Sequence, residues 1–390
     1  MNPQRIVWLT LLVGTPAACT SVPDSRFADA DISAINGGNG DNGDKGPSFG
    51  PVGDGGSSGP CVASSKNYDI PGNGCDDDGD GQTDNAASCD AALAPAGNAT
   101  DFAKALGLCR NASDGGWGII SAEYRGGYNA PGKLNDQQHG ILAKFGDTLV
   151  PREGSKLGVI SSGFAREFNA ASGTNACFVS LGNMGNAKSS VLAGYPKAVK
   201  GCTSSKDVND VIVVRLKLRV PANAKGLSFD FNFFTSEWPA FVCSNYNDAF
   251  LAVLKSAAFN GGKPENISFD PNNNPVSVNN DFFDRCTPHV TTGCYGDKQA
   301  QSSCPGGESE LKGTGYYCKE KYCAPESKDV STGGGATGWL QTKAPVQPGE
   351  EVQLDFMIWD TGDSALNSST LIDNFRWEAS ETTTVTDRPR

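Results

Sequence analysis

Along residues 211–220, VIVVRLKLRV, every second position is apolar: Ile212, Val214, Leu216, Leu218 and Val220 alternate with Arg215, Lys217 and Arg219. Successive side chains of a strand point to opposite faces, so this spacing predicts a half-buried strand. LSFDFNFF (227–234) repeats the pattern, with Leu227, Phe229, Phe231 and Phe233 on one face and Ser228, Asp230 and Asn232 on the other. AFLAVL (249–254), VQLDFMIW (352–359) and LIDNFRW (371–377) predict three more strands. Glycine, proline and asparagine turns separate these short strands. No βαβ alternation and no internal repeat is visible. The expected fold is mainly β, an antiparallel β-sandwich or jelly roll. One short helix is expected within residues 90–109, capped by Asn98 or Thr100, with Phe102, Leu106 and Cys109 on one face.

Other stretches break the strand pattern. Residues 286–323 are polar and turn-rich and hold Cys286, Cys294, Cys304, Cys318 and Cys323. They read as a disulfide-rich insertion in the sandwich. Its odd cysteine count requires a bridge to the outside, with Cys243 a candidate. No CxxC pair accompanies His289, which argues against zinc. Residues 19–60 are rich in Gly, Asp and Ser and carry too little apolar surface to fold, so they read as a disordered tether. Residues 61–90 form a Cys/Asp-rich module. Within CDDDGDGQTDNAASC (75–89), Asp76, Asp78, Asp80, Gln82 and Asp84 stand at positions 1, 3, 5, 7 and 9 of an EF-hand-type loop, with Gly81 at the bend. Calcium takes several hard oxygens around such a turn. The bidentate Glu of position 12 is replaced by Ala87, and the flanks are not amphipathic helices. A structural calcium is therefore expected rather than a sensor; the alternative is an acidic spacer closed by disulfides. The folded domain is expected over 91–380, with 381–390 as a polar tail.

The N-terminus shifts the setting to the outside of a cell. Residues 1–18 combine a basic start, the apolar run IVWLTLLVG and small residues, the pattern of a signal peptide. Ala17, Ala18 and Cys19 resemble the end of a bacterial lipobox, apart from Pro16, so Cys19 is expected to carry lipid. The alternative is ordinary cleavage and secretion. Thr20, a non-Asp residue after that cysteine, points to an outer membrane. Of the 13 cysteines, setting Cys19 aside leaves 12: Cys61, Cys75, Cys89, Cys109, Cys177, Cys202, Cys243 and the five of the insertion. The even number suits disulfide pairing in an oxidising compartment, with connectivity undetermined. The net charge of −12 and the lack of any Lys/Arg-rich run argue against nucleic acid as a partner.

Several stretches resemble the choice-of-anchor L domain. They are LSFDFNFFTSEWPAFVCSNYNDAFLAVL, NISFDPNNNPVSVNNDFF, TGWLQTKAPVQPGEEVQLDFMIWDTGD and STLIDNFRW, with DGGWGIISAEY and FGDTLVPREGSKLGVISSG upstream. The resemblance covers about 91–380 and implies a bacterial surface or secreted protein of a kind common in myxobacteria. The aspartate-rich segment is similar to thrombospondin type-3 repeats. Neither resemblance implies an activity.

The chemistry expected of the domain is binding rather than catalysis. There are two histidines, His139 and His289, and no GxSxG, HExxH or P-loop motif. Glu237, Asp248 and Asp373 fall near strand ends and are candidates for a second calcium site, Asp373 alternating with Leu371 and Phe375 and so expected on their face, whereas Asp360 and Asp363 read as turn-capping acids. Trp238, Phe241 and Tyr246 share one loop and are candidates for stacking on a sugar; core packing is the alternative. Trp117, Trp339, Trp359 and Trp377 are assigned to the core. The leading reading is a non-enzymatic surface lipoprotein, stabilised by calcium, that adheres to or binds an extracellular glycan, matrix polymer or protein. A structural component of the cell envelope is the second reading, and a carboxylate-based glycoside hydrolase the third.

Overall fold

The computed structural model describes residues 61–85, 88–114, 116–166, 189–280, 282–319, 322–323 and 331–389. Cys19, Cys177, the signal peptide and the tether lie outside the described residues. Ten strands form two antiparallel sheets: β1 (Gly118–Arg125), β2 (His139–Leu142), β3 (Leu157–Ser161), β4 (Val208–Arg219), β5 (Gly226–Thr235), β6 (Ala249–Lys255), β7 (Leu340–Pro345), β8 (Glu351–Thr361), β9 (Ser368–Glu378) and β10 (Val385–Asp387). The first sheet runs β1-β4-β8-β6, and the two-residue segments Glu265–Asn266 and Val276–Ser277 both pair with β6. The second runs β10-β7-β5-β9-β3-β2, with Gly335–Ala336 added to β5.

The main core lies between the sheets. Ile212, Val214, Leu216 and Leu218 meet Phe229, Phe231 and Phe233 there, together with Phe250, Phe356 and Ile358. The predicted alternation is thus realised, and β4 is half-buried over Arg215–Arg219, where Lys217 is exposed, but not over Val208–Val214, where both faces are covered. Val211 and Val213 pack with Leu251, Met357 and Trp359 in a second cluster on the far side of the first sheet. On the far side of the second sheet, Phe234, Val159 and Leu371 are covered by Phe145, Leu149, Leu311 and Tyr316. Loops thus cover both outer faces, and every residue of β5 is buried. Its polar row is held by partners: Asp230 accepts from Arg152 Nε (2.6 Å), Gln341 Nε2 (2.9 Å) and Asn374 Nδ2 (2.9 Å).

The seven-residue helix α1 (Ala99–Ala105) begins at Asn98, whose side chain accepts from the Thr100 and Asp101 amides while Asp101 returns a bond to the Asn98 amide. Of the two caps expected, Asn98 takes the role and Thr100 lies inside the helix. Phe102 and Leu106 are buried, while Cys109 lies beyond the helix end and bridges Cys89. Three other expectations need correction. The register of β9 against β5 shifts between Asp373 and Arg376, at Asn374, whose φ is +53°. The shift changes the alternation, so Leu371 joins the outer cluster and Phe375 and Trp377 the main core. Asp373 therefore does not share a face with Phe375. Residues 385–387 are no tail: they form the edge strand β10, where Thr386 Oγ1 meets Thr342 Oγ1 at 2.8 Å. Finally, Cys243 pairs with Cys202 and not with the insertion. Cys61–Cys75, Cys286–Cys304 and Cys294–Cys323 also form bridges, and Cys318 is disulfide-bonded as well.

Candidate functional site

The aspartate loop is not a separate bead. The described residues form one compact unit. Tyr68 and Asn223 exchange two hydrogen bonds (2.9 and 2.8 Å), the Ala222 amide donates to Lys66 O, and Arg110 donates to Ser65 O. The loop wraps its own amides around carboxylates. Asp76 accepts from the Gly79, Asp80 and Gly81 amides, and Asp80 from the Gln82 amide. Gly79 and Gly81 sit at φ +75° and +91°, where a Cβ would be strained. Ligand oxygens of Asp76, Asp78 and Asp80 lie within 4.8 Å of one another, close enough to share one ion. Burial and the adjacent carboxylates raise the pKa of Asp78. Asp84 turns away and accepts from the Asn73 and Gly74 amides, so it does not join the other three, and Gln82 is exposed.

Where this loop meets the sandwich there is a cavity of about 190 Å³, lined in part by Tyr68, Trp117, Trp377, Asp78 and Glu153. The indole N–H groups of Trp117 and Trp377 are buried without a hydrogen-bond partner. Tyr68 meets Trp117 edge to face.

The second feature is the loop between β5 and β6. The ring of Trp238 stacks on Phe283 at 4.4 Å and is half-buried, apart from the other two aromatics. Phe241 instead gathers Tyr246 (5.5 Å), Tyr295 (5.4 Å) and Tyr322 (5.1 Å). Tyr295 is 59% exposed, the most exposed aromatic ring among the described residues with large exposed side chains. Bridges at Cys202–Cys243 and Cys294–Cys323 hold the segments that carry these rings. Sequence reasoning missed Tyr295 and Tyr322. Their only signal was adjacency to Cys294 and Cys323, and that spacing does not reveal which loop the bridge approaches.

Both ends of the same loop carry buried acids. Glu237 is 2% exposed and its Oε2 accepts from the Asp248 amide at 3.4 Å. Asp248 accepts from the Thr361 amide (2.9 Å) and from Ser368 Oγ (2.7 Å). The third member of the group is Asp360, not Asp373. Asp360 is buried beside Asp248 and Ser162, and no amide or cationic side chain donates to its two oxygens. Asp363 does cap a turn, accepting from the Ala365 amide. Asp373 lies five strand positions past Ser368, where it accepts from the Arg152, Glu153 and Asn374 amides. Burial raises the carboxyls of Glu237 and Asp360, and lifts Asp248 and Asp373 to about 7.

Of the two histidines, His139 is buried and stacked on Tyr124 at 3.7 Å, and His289 is exposed at φ +60°. Trp117, Trp359 and Trp377 belong to the core as expected, and Trp339 is half-buried under Arg152. No described helix is long and apolar enough to cross a membrane. Compared with known proteins, the chain matches one family model, that of the choice-of-anchor L domain, over residues 156–375. Neither a curated protein nor a solved structure matches it.

Proposed function

The chain belongs to the choice-of-anchor L domain family, a family of cell-surface modules that are generally non-enzymatic, and from this premise we propose a lipid-anchored binding module for extracellular glycans. The observation that carries the reading is the cluster of Phe241, Tyr246, Tyr295 and Tyr322, of which Tyr295 is exposed on disulfide-held segments. Aromatic faces stack on the C–H faces of sugars, and a rigid mounting reduces the ordering cost of binding. The cavity beside the aspartate loop favours the same ligand class. It has aromatic walls, carboxylates to accept from hydroxyls and two indole donors that need acceptors. Lipid on Cys19 would hold the module at the membrane, and the residues between would let it stand clear.

The test is a glycan array read with the purified domain. Phe241→Ala and Tyr295→Ala should each weaken the strongest signal by about tenfold or more, as loss of a central aromatic contact does. Undiminished binding in both variants would refute the aromatic surface. No binding to any glycan would favour an envelope component without a soluble ligand. Fractionation of cells tests the anchor: Cys19→Ser should move the protein from the membrane pellet to the soluble fraction.

Calcium at the aspartate loop has its own expected outcome. An ion bound only to the folded state at a hundredfold over its Kd adds about 2.7 kcal/mol of stability. A thermal melt in millimolar calcium should therefore shift upward. Asp78→Asn combined with Asp80→Asn should remove the part of the shift that belongs to this loop, since both residues offer oxygens to the shared position.

A further inference from the structure

We propose that Glu237, Asp248 and Asp360 hold a second divalent cation, calcium, and that this ion clamps the loop presenting Phe241 and Tyr246. The clamp rests on the aromatic surface being the binding face; the ion site does not.

Three carboxylates are buried at the end of the first sheet, each no more than 2% exposed. The other charges that act most strongly on them are also acidic: Asp248 and Asp363 on Glu237, Asp363 on Asp248, and Asp248 and Asp210 on Asp360. Two other buried acids of this domain have cationic partners. Asp230 meets Arg152 at 2.6 Å and Asp355 meets Arg215 at 2.9 Å. Burying a charge without a partner is costly, and clustering like charges adds to that cost.

A second observation is independent of the acid count. No amide or cationic side chain donates to either buried oxygen of Asp360, which has only the Ser162 hydroxyl and the Asp248 carboxyl beside it, and both ends of the Asn367 amide are buried without a hydrogen-bond partner. Asn367 lies next to Ser368, which donates to Asp248, and its carbonyl accepts from Ser236, next to Glu237. Ser162, alongside Asp360, directs its hydroxyl toward Ser368 O and accepts from the Ser368 amide. A cation would give the clustered carboxylates the counter-charge they lack. The ion class follows from the donors, which are all oxygen. The three carboxylates are spread more widely than Asp76, Asp78 and Asp80, the only such triplet within 4.8 Å among the described residues. Calcium–oxygen contacts of about 2.3–2.6 Å would require the three to draw together on binding, which the large, adaptable coordination of calcium allows better than the strict octahedron of magnesium.

The link to the aromatic surface is topological. Glu237 and Asp248 are the first and last acids of the loop that carries Phe241 and Tyr246. Asp360 stands two residues before Gly362, where an added Cβ would lie 2.9 Å from the Tyr246 ring. Inside the loop, Phe241 donates its amide to Glu237 O, so movement of Glu237 is passed to that ring. An ion shared by the three acids would tie both loop ends to β8.

The experiment uses calcium alone, so it succeeds or fails independently of any glycan. In the Asp78→Asn/Asp80→Asn background, calorimetric titration with calcium chloride should give one bound ion per chain. Adding Asp360→Asn should abolish it, with near-ultraviolet circular dichroism confirming the fold. Glu237→Gln serves if that variant does not fold. No binding in a folded aspartate-loop variant would overturn the site, as would binding of magnesium without calcium. For the clamp, hydrogen exchange at residues 238–247 should slow by about tenfold in calcium, and only in proteins that retain Asp360. Exchange unchanged by calcium, with the ion bound, would overturn the clamp and leave the site.

Discussion

Asp355→Ala should destabilise the domain by roughly 3–5 kcal/mol, the penalty expected when one partner of a buried ion pair is removed. Asp355 and Arg215 are directly opposed on β8 and β4. The guanidinium makes two bonds to the carboxylate, Nε to Oδ1 and an Nη to Oδ2, both 2.9 Å, and Gln353 adds a third at 2.9 Å. Asp355 is wholly buried, and burial pushes its carboxyl up despite the guanidinium. Its truncation leaves the guanidinium of Arg215 with one hydrogen bond, to the Tyr128 carbonyl at 3.1 Å, and with Glu123, opposite it on β1, as the remaining acid near it. Arg215→Ala should cost about as much, because it strands the carboxylate instead. The pair itself is a weak contributor: Arg215→Met with Asp355→Leu should recover to within about 1–2 kcal/mol of the parent, since apolar isosteres of buried pairs are often neutral or better. Urea unfolding of the four proteins measures the set. A double variant as unstable as the singles would show that the pair, and not its disruption, matters.

The same residue shows what was legible in the chain. In VIVVRLKLRV, Arg215 reads as the exposed side of a half-buried strand, because alternation distinguishes two faces but not what covers the second. Val211 and Val213 were the available clue, being apolar on the supposedly wet face. The five principal strands and the short helix follow from period and capping, which are local. The insertion and the segments around Phe145 are what close the outer faces, and that is a long-range fact. The register shift at Asn374 likewise depends on β5 and Arg152, far away in sequence. It is why Asp373 was grouped with Glu237 and Asp248 while Asp360, in the turn-like WDTGD, was set aside.

The candidate site divides along the same line. Asp76, Asp78 and Asp80 are legible because an ion loop is local and its spacing reflects its geometry. Asp84 departs from the pattern since Asn73 and Gly74 offer it nearer donors. Phe241 and Tyr246 could be read as loop aromatics, but their company could not. Tyr295 and Tyr322 arrive through the Cys294–Cys323 bridge, and Trp238 leaves to stack on Phe283.

Acid should weaken this domain through His139, and His139→Phe should remove that part of the loss. The ring is buried against Tyr124, its Nδ1 has no partner, and Arg166 lies close; Asp136 offsets these only in part. Burial first, then Arg166, lowers its pKa to about 4 from 6.5. A depressed pKa in the folded state means the unfolded chain takes up the proton first as pH falls. The contribution is complete above about 6.5, falls through the window down to about 4, and is gone below it. At 1.36 kcal/mol per unit, the loss is roughly 3 kcal/mol. Phenylalanine keeps the flat ring on Tyr124 and does not titrate. The buried acids Glu237, Asp248, Asp360 and Asp373 act in the opposite sense, since raised carboxyl pKa values make stability fall as pH rises. They are common to both proteins and cancel in the difference. Denaturant unfolding of parent and variant, in chelator from pH 8 to pH 4, should therefore give curves that draw together or cross as the parent loses stability relative to the variant below pH 6.5. Parallel curves would mean that the imidazole titrates alike in the folded and unfolded chains, and that its burial against Tyr124 does not exclude the charged form.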